Sequence, residues 1–219
     1  MTLRNLVRYL LSIPLLLTGG ALAAHADTVF TNITGPCCGG IAVFGSQFGY
    51  EALAAEFTPF ATYTLSAAQV VVFAEAGYGG DPLFNAALFS NGASVPGSLI
   101  ETLGTGLTAP PGNGGLVTVA ATPVTLSGGM AYWLVLSPFD PLTQIGWEMG
   151  GTANVPSAFN ASGSINGGWS TYGTTDVQFA IDGTPVVTPE PNSLVLTLTG
   201  CGALAALAGY RRYLRITEN

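Results

Sequence analysis

Hydrophobic residues in the middle of this chain recur with the two-residue period of β-strands. Between residues 28 and 182, short apolar runs rich in β-branched and aromatic residues alternate with clusters of Gly, Pro, Asn and Ser. The close spacing of these runs predicts one all-β domain, an antiparallel β-sandwich of jelly-roll type. The ten predicted strands are "TVFTNI", "LAAEF", "AQVVVFAEA", "LFNAALFS", "GSLIETLG", "GLVTVAA", "TPVTLS", "MAYWLVLS", "TQIGWEMG" and "VQFAID".

One predicted strand, "AYWLVLS", is apolar on both faces. Its alternation directs Tyr132, Leu134 and Leu136 to one side and Trp133 and Val135 to the other. A strand of this kind is expected between two sheets or at another covered position.

The first 26 residues have the pattern of a secretory signal peptide, which predicts an N-terminal helix. Arg4 and Arg8 precede the apolar run "YLLSIPLLLTGGALA", and Ala24 and Ala26 form an A-x-A cleavage site. The alternative is an uncleaved membrane anchor, which is less favoured because the run is short and interrupted by proline and glycine. We therefore expect cleavage after Ala26 and export of the chain.

A second apolar segment, near the end of the chain, predicts a single C-terminal transmembrane helix. Residues 194–210 carry no charge, and these 17 residues give roughly 26 Å of helix, just enough to cross a bilayer. Arg211 and Arg212 begin the basic tail 211–219, which is expected to stay in the cytoplasm and to leave the β-domain outside. The predicted sections are 1–26, 27–187 and 188–219.

The order of features in the last section resembles the PEP-CTERM sorting signal of Gram-negative bacteria. Pro189, Glu190 and Pro191 precede a span of small and apolar residues, and Arg211 and Arg212 follow it. The resemblance implies an exosortase, a membrane-embedded cysteine transpeptidase, as processing partner. It also implies a transient stay in the inner membrane facing the periplasm, removal of the span, and delivery to the cell surface or exopolysaccharide matrix. The alternative is a permanent tail anchor.

The predicted β-domain, residues 27–187, contains no basic side chain. The chain has no lysine, its five arginines lie outside this section, and its one histidine is His25. Nucleophilic sites that use His or Lys and zinc sites that use His are therefore excluded from the domain. Nucleic acid is not expected as a partner, because phosphate binding needs Lys or Arg. All acidic residues except Glu190 and Glu218 lie in this section, so anionic polymers would need bridging divalent cations.

Several segments of the middle resemble a β-sandwich domain of the choice-of-anchor type, which often precedes bacterial surface-sorting signals. The similar segments are "LAAEFTPFATYTLSAAQVVVFAEAG", "LFNAALFSNGASVPGSLIETLG", "VTLSGGMAYWLVLS" and "IGWEMG", within residues 45–182. The resemblance implies a sandwich fold and a surface location. It implies no catalytic activity.

Two adjacent cysteines, Cys37 and Cys38, lie in "GPCCGG", and the third, Cys201, lies in the predicted span. In an oxidising periplasm the adjacent pair could form a vicinal disulfide or an intermolecular bridge. A catalytic redox role is not favoured, because the domain has no cation to lower a thiol pKa.

The acidic residues raise two further hypotheses. A glycoside hydrolase needs two carboxyl groups about 5–10 Å apart, and Glu51 with Glu56 or Asp140 with Glu148 are candidate pairs. Calcium binding is a more plausible role for the acidic residues than glycoside hydrolysis, because Asp81 and Asp140 lie in turn sequences that also offer free carbonyl groups.

Aromatic side chains could instead stack on sugar rings. Trp169 and Tyr172 in "INGGWSTYGTT" are the preferred candidates, because this Gly-rich stretch predicts an exposed loop, whereas Trp133 and Trp147 are expected in the core. Weaker aromatic candidates are Tyr50 and Tyr78. The sequence as a whole predicts a non-enzymatic exported protein with a structural or adhesive role. The alternatives are a carbohydrate-binding module that contacts extracellular polysaccharide and, less favoured, a secreted hydrolase.

Overall fold

The structure, a computed structural model, describes residues 26–36, 39–75, 79–186 and 201–202. The described residues up to Pro185 belong to one compact unit, and they form β-strands and one short 3-10 turn at Ser46–Phe48. The strands are β1 (Asp27–Thr31), β2 (Gly40–Phe44), β3 (Ala52–Phe57), β4 (Tyr63–Ala74), β5 (Leu83–Asn91), β6 (Pro96–Thr108), β7 (Gly115–Ala120), β8 (Thr125–Leu126), β9 (Tyr132–Pro138), β10 (Gln144–Glu148), β11 (Val155–Asn160), β12 (Trp169–Thr175) and β13 (Phe179–Pro185).

These strands form two antiparallel sheets, as the period-two pattern predicted. The six-stranded sheet has the order β12-β11-β3-β9-β5-β6. The seven-stranded sheet has the order β1-β13-β4-β10-β2, and β7 and β8 also pair with β4. Since β7 overlaps the pairing ranges of both β10 and β13 on β4, those two strands share one edge of β4 and β7 occupies the other. The domain is therefore all-β and sandwich-like.

The main core lies between the two sheets, because it contains residues of both. Trp147 and Phe179 come from the seven-stranded sheet, whereas Leu134 and Leu136 come from the six-stranded sheet. This core removes most of the large apolar side chains of the described residues from water. The transfer of apolar surface out of water is the principal favourable term in folding.

A second apolar cluster, the outer cluster, covers the opposite face of the six-stranded sheet. Trp133 and Val135 of β9 belong to it and are fully buried, so the prediction that β9 is covered on both faces is confirmed. Half-buried Val95, Ile165 and Trp169 pack against this cluster. Its buried members are Ala54, Ala87, Phe89, Trp133, Val135 and Ala158.

All ten predicted strands overlap observed strands, but β2, β11 and β12 were not predicted. The strand β12 is polar and exposed along most of its length, because it lies at a sheet edge where no layer covers it. The strand β11 contains Pro156, which lies beyond the part of β11 that pairs with β3. The expectation of a loop at Trp169 and Tyr172 was therefore wrong, since both residues belong to β12.

Among the described residues, no helix has the length and apolarity needed to cross a membrane. The predicted signal helix 1–26, apart from Ala26, and the predicted span 194–210, apart from Cys201 and Gly202, lie outside the described residues.

The first described strand begins and the last one finishes at the same end of the sandwich, here called the terminal end. Asp27 of β1 pairs with Gly183 of β13, and Pro185 at the end of β13 pairs with Tyr63 at the start of β4. At the opposite end, the loop end, β4 finishes at Ala74 beside the start of β10. The terminal end therefore carries Asp27 and Pro185, and the loop end carries the connection that follows β4 and the turn that precedes β10.

Two buried amides hold the segment that leads to the cysteine pair. Asn32 accepts a hydrogen bond at Oδ1 from the Phe179 backbone N–H at 2.9 Å. Gln178 accepts at Oε1 from the backbone N–H groups of Thr34 at 2.7 Å and Gly35 at 2.9 Å, and donates through Nε2 to the Gly35 carbonyl at 2.9 Å. Because both amides are fully buried and bonded, residues 32–35 are fixed to the start of β13.

Candidate functional site

The two preferred aromatic residues have different surroundings on β12. Trp169 is half-buried against the outer cluster, and its Nε1 donates a hydrogen bond to the Ile165 carbonyl at 3.0 Å. Tyr172 is 52% exposed, and its ring meets that of Phe159 edge-on at 5.9 Å. Phe159 packs against the main core, on the other side of the sheet from the outer cluster.

A β-bulge is the reason for this separation. Gly173 lies opposite Ser157 and Thr171 lies opposite Ala158, so Tyr172 is an extra residue in the β11–β12 ladder. Trp169 and Tyr172 are consequently associated with opposite faces of the sheet. The structure does not bring them together as one stacking surface, and the bulge has no signal in the sequence beyond Gly173.

A shallow groove at the loop end contains aromatic and acidic groups together. Its volume is about 210 Å³, below the range of roughly 300–1,000 Å³ typical of enclosed small-molecule sites. Phe139 is 47% exposed beside it, and burial raises the pKa of the Tyr50 hydroxyl above its ordinary value. The groove is lined by Ser46, Tyr50, Pro138, Phe139, Asp140, Pro141 and Gly163. Phe139 is not among the aromatic residues predicted to contact a sugar, although it lies in the turn "SPFDPL" that also contains the candidate calcium ligand Asp140.

Asp81 and Asp140, the candidate calcium ligands, lie in neighbouring segments at the loop end. The backbone N–H of Asp81 donates to the Leu142 carbonyl at 2.8 Å. The Asp140 carboxylate accepts a hydrogen bond at Oδ1 from the Leu142 N–H at 2.9 Å and thus closes its own turn. Among the described residues, no three His, Cys, Asp or Glu side chains are grouped to hold a metal ion.

The two candidate carboxylate pairs have the wrong geometry for a glycosidase. Glu51 and Glu56 are five residues apart along one extended segment, which separates their Cα atoms by roughly 16 Å and directs their side chains to opposite faces. Asp140 lies in the turn before β10, whereas Glu148 ends that strand, at least roughly 13 Å away along it. A sugar bond cannot be held between the members of either pair.

Burial raises the pKa values of Glu51 and Glu56 above the ordinary range for a glutamate. Glu56 lies directly opposite the fully buried Trp133 in the β3–β9 register, so its carboxylate stands beside the apolar outer cluster. Desolvation of a single carboxyl is enough to account for the direction of the shift.

The remaining candidate residues lie outside the described residues. These are Ala24 of the cleavage site, the pair Cys37 and Cys38, the sorting residues Pro189, Glu190, Pro191, Arg211 and Arg212, and the weaker aromatic candidate Tyr78. Ala26 is described and exposed, and Cys201 is a free, exposed thiol.

No protein family model matches this sequence, and no curated protein matches it either.

Proposed function

We propose that this chain is a non-enzymatic exported protein with a structural or adhesive role at the cell surface or in the exopolysaccharide matrix. Its C-terminal section acts as a PEP-CTERM signal, which holds the chain in the inner membrane until an exosortase removes the span. The observation that carries the proposal is the succession of Pro189, Glu190 and Pro191, an uncharged span and Arg211 after a compact β-domain.

The sandwich that is exported in this way is of the jelly-roll type. Two four-stranded paths support this topology, β2-β10-β4-β7 in one sheet and β3-β9-β5-β6 in the other. Named in chain order, these eight strands give the two interleaved Greek keys of a jelly roll. In this reading, β1 and β13 extend one sheet, and β11 and β12 extend the other.

Intact mass measurement on protein recovered from the cell surface and culture medium tests the sorting proposal. We expect a mass that lacks residues 1–26 and the segment after the Pro-Glu-Pro motif, together with the mass of any group attached at the new terminus. Recovery of a chain that retains residues 194–219 would make the tail a permanent anchor and contradict the proposal.

A second function, carbohydrate binding, is supported by the loop-end groove. Tyr50 and Phe139 can contact the apolar face of a sugar ring, and the Asp140 carboxylate can accept hydrogen bonds from hydroxyl groups. We expect Phe139→Ala to abolish retention on the host's own exopolysaccharide, whereas Tyr172→Ala leaves retention unchanged. Equal retention of wild type and Phe139→Ala would exclude the groove as the binding site.

A further inference from the structure

Two buried side-chain oxygens at the loop end have no hydrogen-bond partner. They are Oε2 of Glu75 and Oε1 of Gln144, and Gln144 is only 3% exposed. Buried polar atoms are nearly always bonded in folded proteins, so an unpaired one indicates a bound water or ion. Both of these atoms are acceptors, and neither can donate to the other while Glu75 is ionised.

These two residues are direct neighbours across the sheet. Ala74 pairs with Ile145, and the ladder continues one residue further, where the Glu75 N–H donates to the Gln144 carbonyl at 3.3 Å. Ile145 belongs to the main core, so Gln144 faces outward, and residues that lie opposite each other share a face with Cβ atoms roughly 5 Å apart. The two side chains that carry these oxygens therefore start from neighbouring positions on one face of the sheet.

The returning chain at Gly80 closes this region on one side. A Cβ atom on Gly80 would lie 2.5 Å from the Gln144 Cβ and 2.7 Å from its Oε1, so only glycine allows the backbone to lie this close. The next residue is Asp81, whose carbonyl accepts a hydrogen bond from the Gln144 N–H at 2.8 Å and holds this returning chain against the start of β10.

We propose that Glu75 and Gln144 bind a calcium ion at the loop end. Calcium takes carboxylate, amide and carbonyl oxygens, and it tolerates irregular geometry. No side chain of residues 27–187 can offset the Glu75 charge, since this section contains no Lys, Arg or His, whereas a bound cation would offset it. With few charged ligands, the affinity is expected to be that of an extracellular module, with a Kd of roughly 0.1–1 mM.

Thermal unfolding of the full chain in detergent, with CaCl₂ or with a chelator at matched ionic strength, tests the site. We expect calcium at about ten times the Kd to raise the Tm by about 3–5 °C. Glu75→Gln removes the charge with little change of shape, and the calcium-dependent rise should then be lost. Glu101→Gln, the same substitution on the edge strand β6, is the matched control and should keep the full rise.

Gln144→Glu provides a test that does not depend on loss of binding. A second carboxylate opposite the first should strengthen calcium binding about tenfold in a calorimetric titration, and it should make the chelated protein less stable than wild type. The proposal is overturned if wild type binds no calcium, if Glu75→Gln keeps the Tm rise, or if Gln144→Glu binds no more tightly. In those cases water alone bonds to the two oxygens.

Discussion

Glu56 illustrates how a single charge is placed in this fold. It lies on the outer face of the six-stranded sheet, opposite Trp133, where Ala54 of the same strand and Val135 of the neighbouring strand β9 belong to the outer cluster. Burial raises the pKa of its carboxyl group, so the folded state disfavours the ionised form. Ionised Glu56 therefore opposes folding, and this opposition is absent below the unfolded pKa and complete above the folded pKa.

Glu56→Gln is expected to stabilise the protein near neutral pH. Because the penalty exists only when Glu56 is ionised, the Tm should rise by about 1–2 °C at pH 7 and by nothing measurable near pH 3.5. Thermal unfolding at the two pH values, beside the control Glu101→Gln, measures the difference. A gain of the same size at both pH values would show that desolvation of the charge is not the cause.

The sequence predicted the roles of some aromatic residues better than others. Trp133 and Trp147 were expected in the core because they stand in strongly apolar strands, and both are fully buried. The relation of Trp169 to Tyr172 could not be predicted, since it depends on a bulge that is defined only by the pairing of β12 with β11. Long-range pairing has no local signature in either strand.

At the scale of elements, β12 is an exposed edge strand that is anchored by one half-buried side chain, Trp169. The strand pairs with β11 alone, and Trp169 is the member that packs against the outer cluster. The strands β9 and β10 could be predicted because their complete burial imposes an apolar pattern on them, whereas β11 is interrupted by Pro156 and Ser157. An edge strand needs no such pattern, which explains why the sequence of β12 predicts a loop.

Trp169→Ala and Tyr172→Ala should differ in their effect on the stability of the protein. Trp169→Ala removes a half-buried ring and its bond to Ile165, and we expect a loss of about 2–3 kcal/mol in the free energy of unfolding. Tyr172→Ala should change it by less than about 0.5 kcal/mol, since most of that side chain is in solvent. Denaturant unfolding of both variants gives the comparison, and equal losses would contradict the separate placement of the two rings.

At the scale of the whole molecule, the dominant property is that residues 27–187 carry negative charge and no positive charge. All charged side chains of residues 27–187 are acidic. Protonation can therefore neutralise this section but cannot make it strongly positive. Acid unfolding of ordinary proteins is driven in part by repulsion among positive charges, and that force is missing here.

A protein that lacks residues 1–26 and the basic tail is expected to lose solubility in acid and not to regain it. As the carboxyl groups are protonated below about pH 4, the net charge approaches zero and association follows. Light scattering between pH 7 and pH 2 should rise below about pH 4 and stay high at pH 2. Clarification at pH 2 would mean that charge does not control solubility.

The common position of Asp27 and Pro185 at the terminal end has a mechanical consequence. A molecule attached through the chain that follows Pro185 would be held at one pole only, and β4, twelve residues long, gives the sandwich a reach of about 36 Å from that pole. Such an attachment would leave the opposite pole, with Phe139 and Asp140, free to meet a ligand.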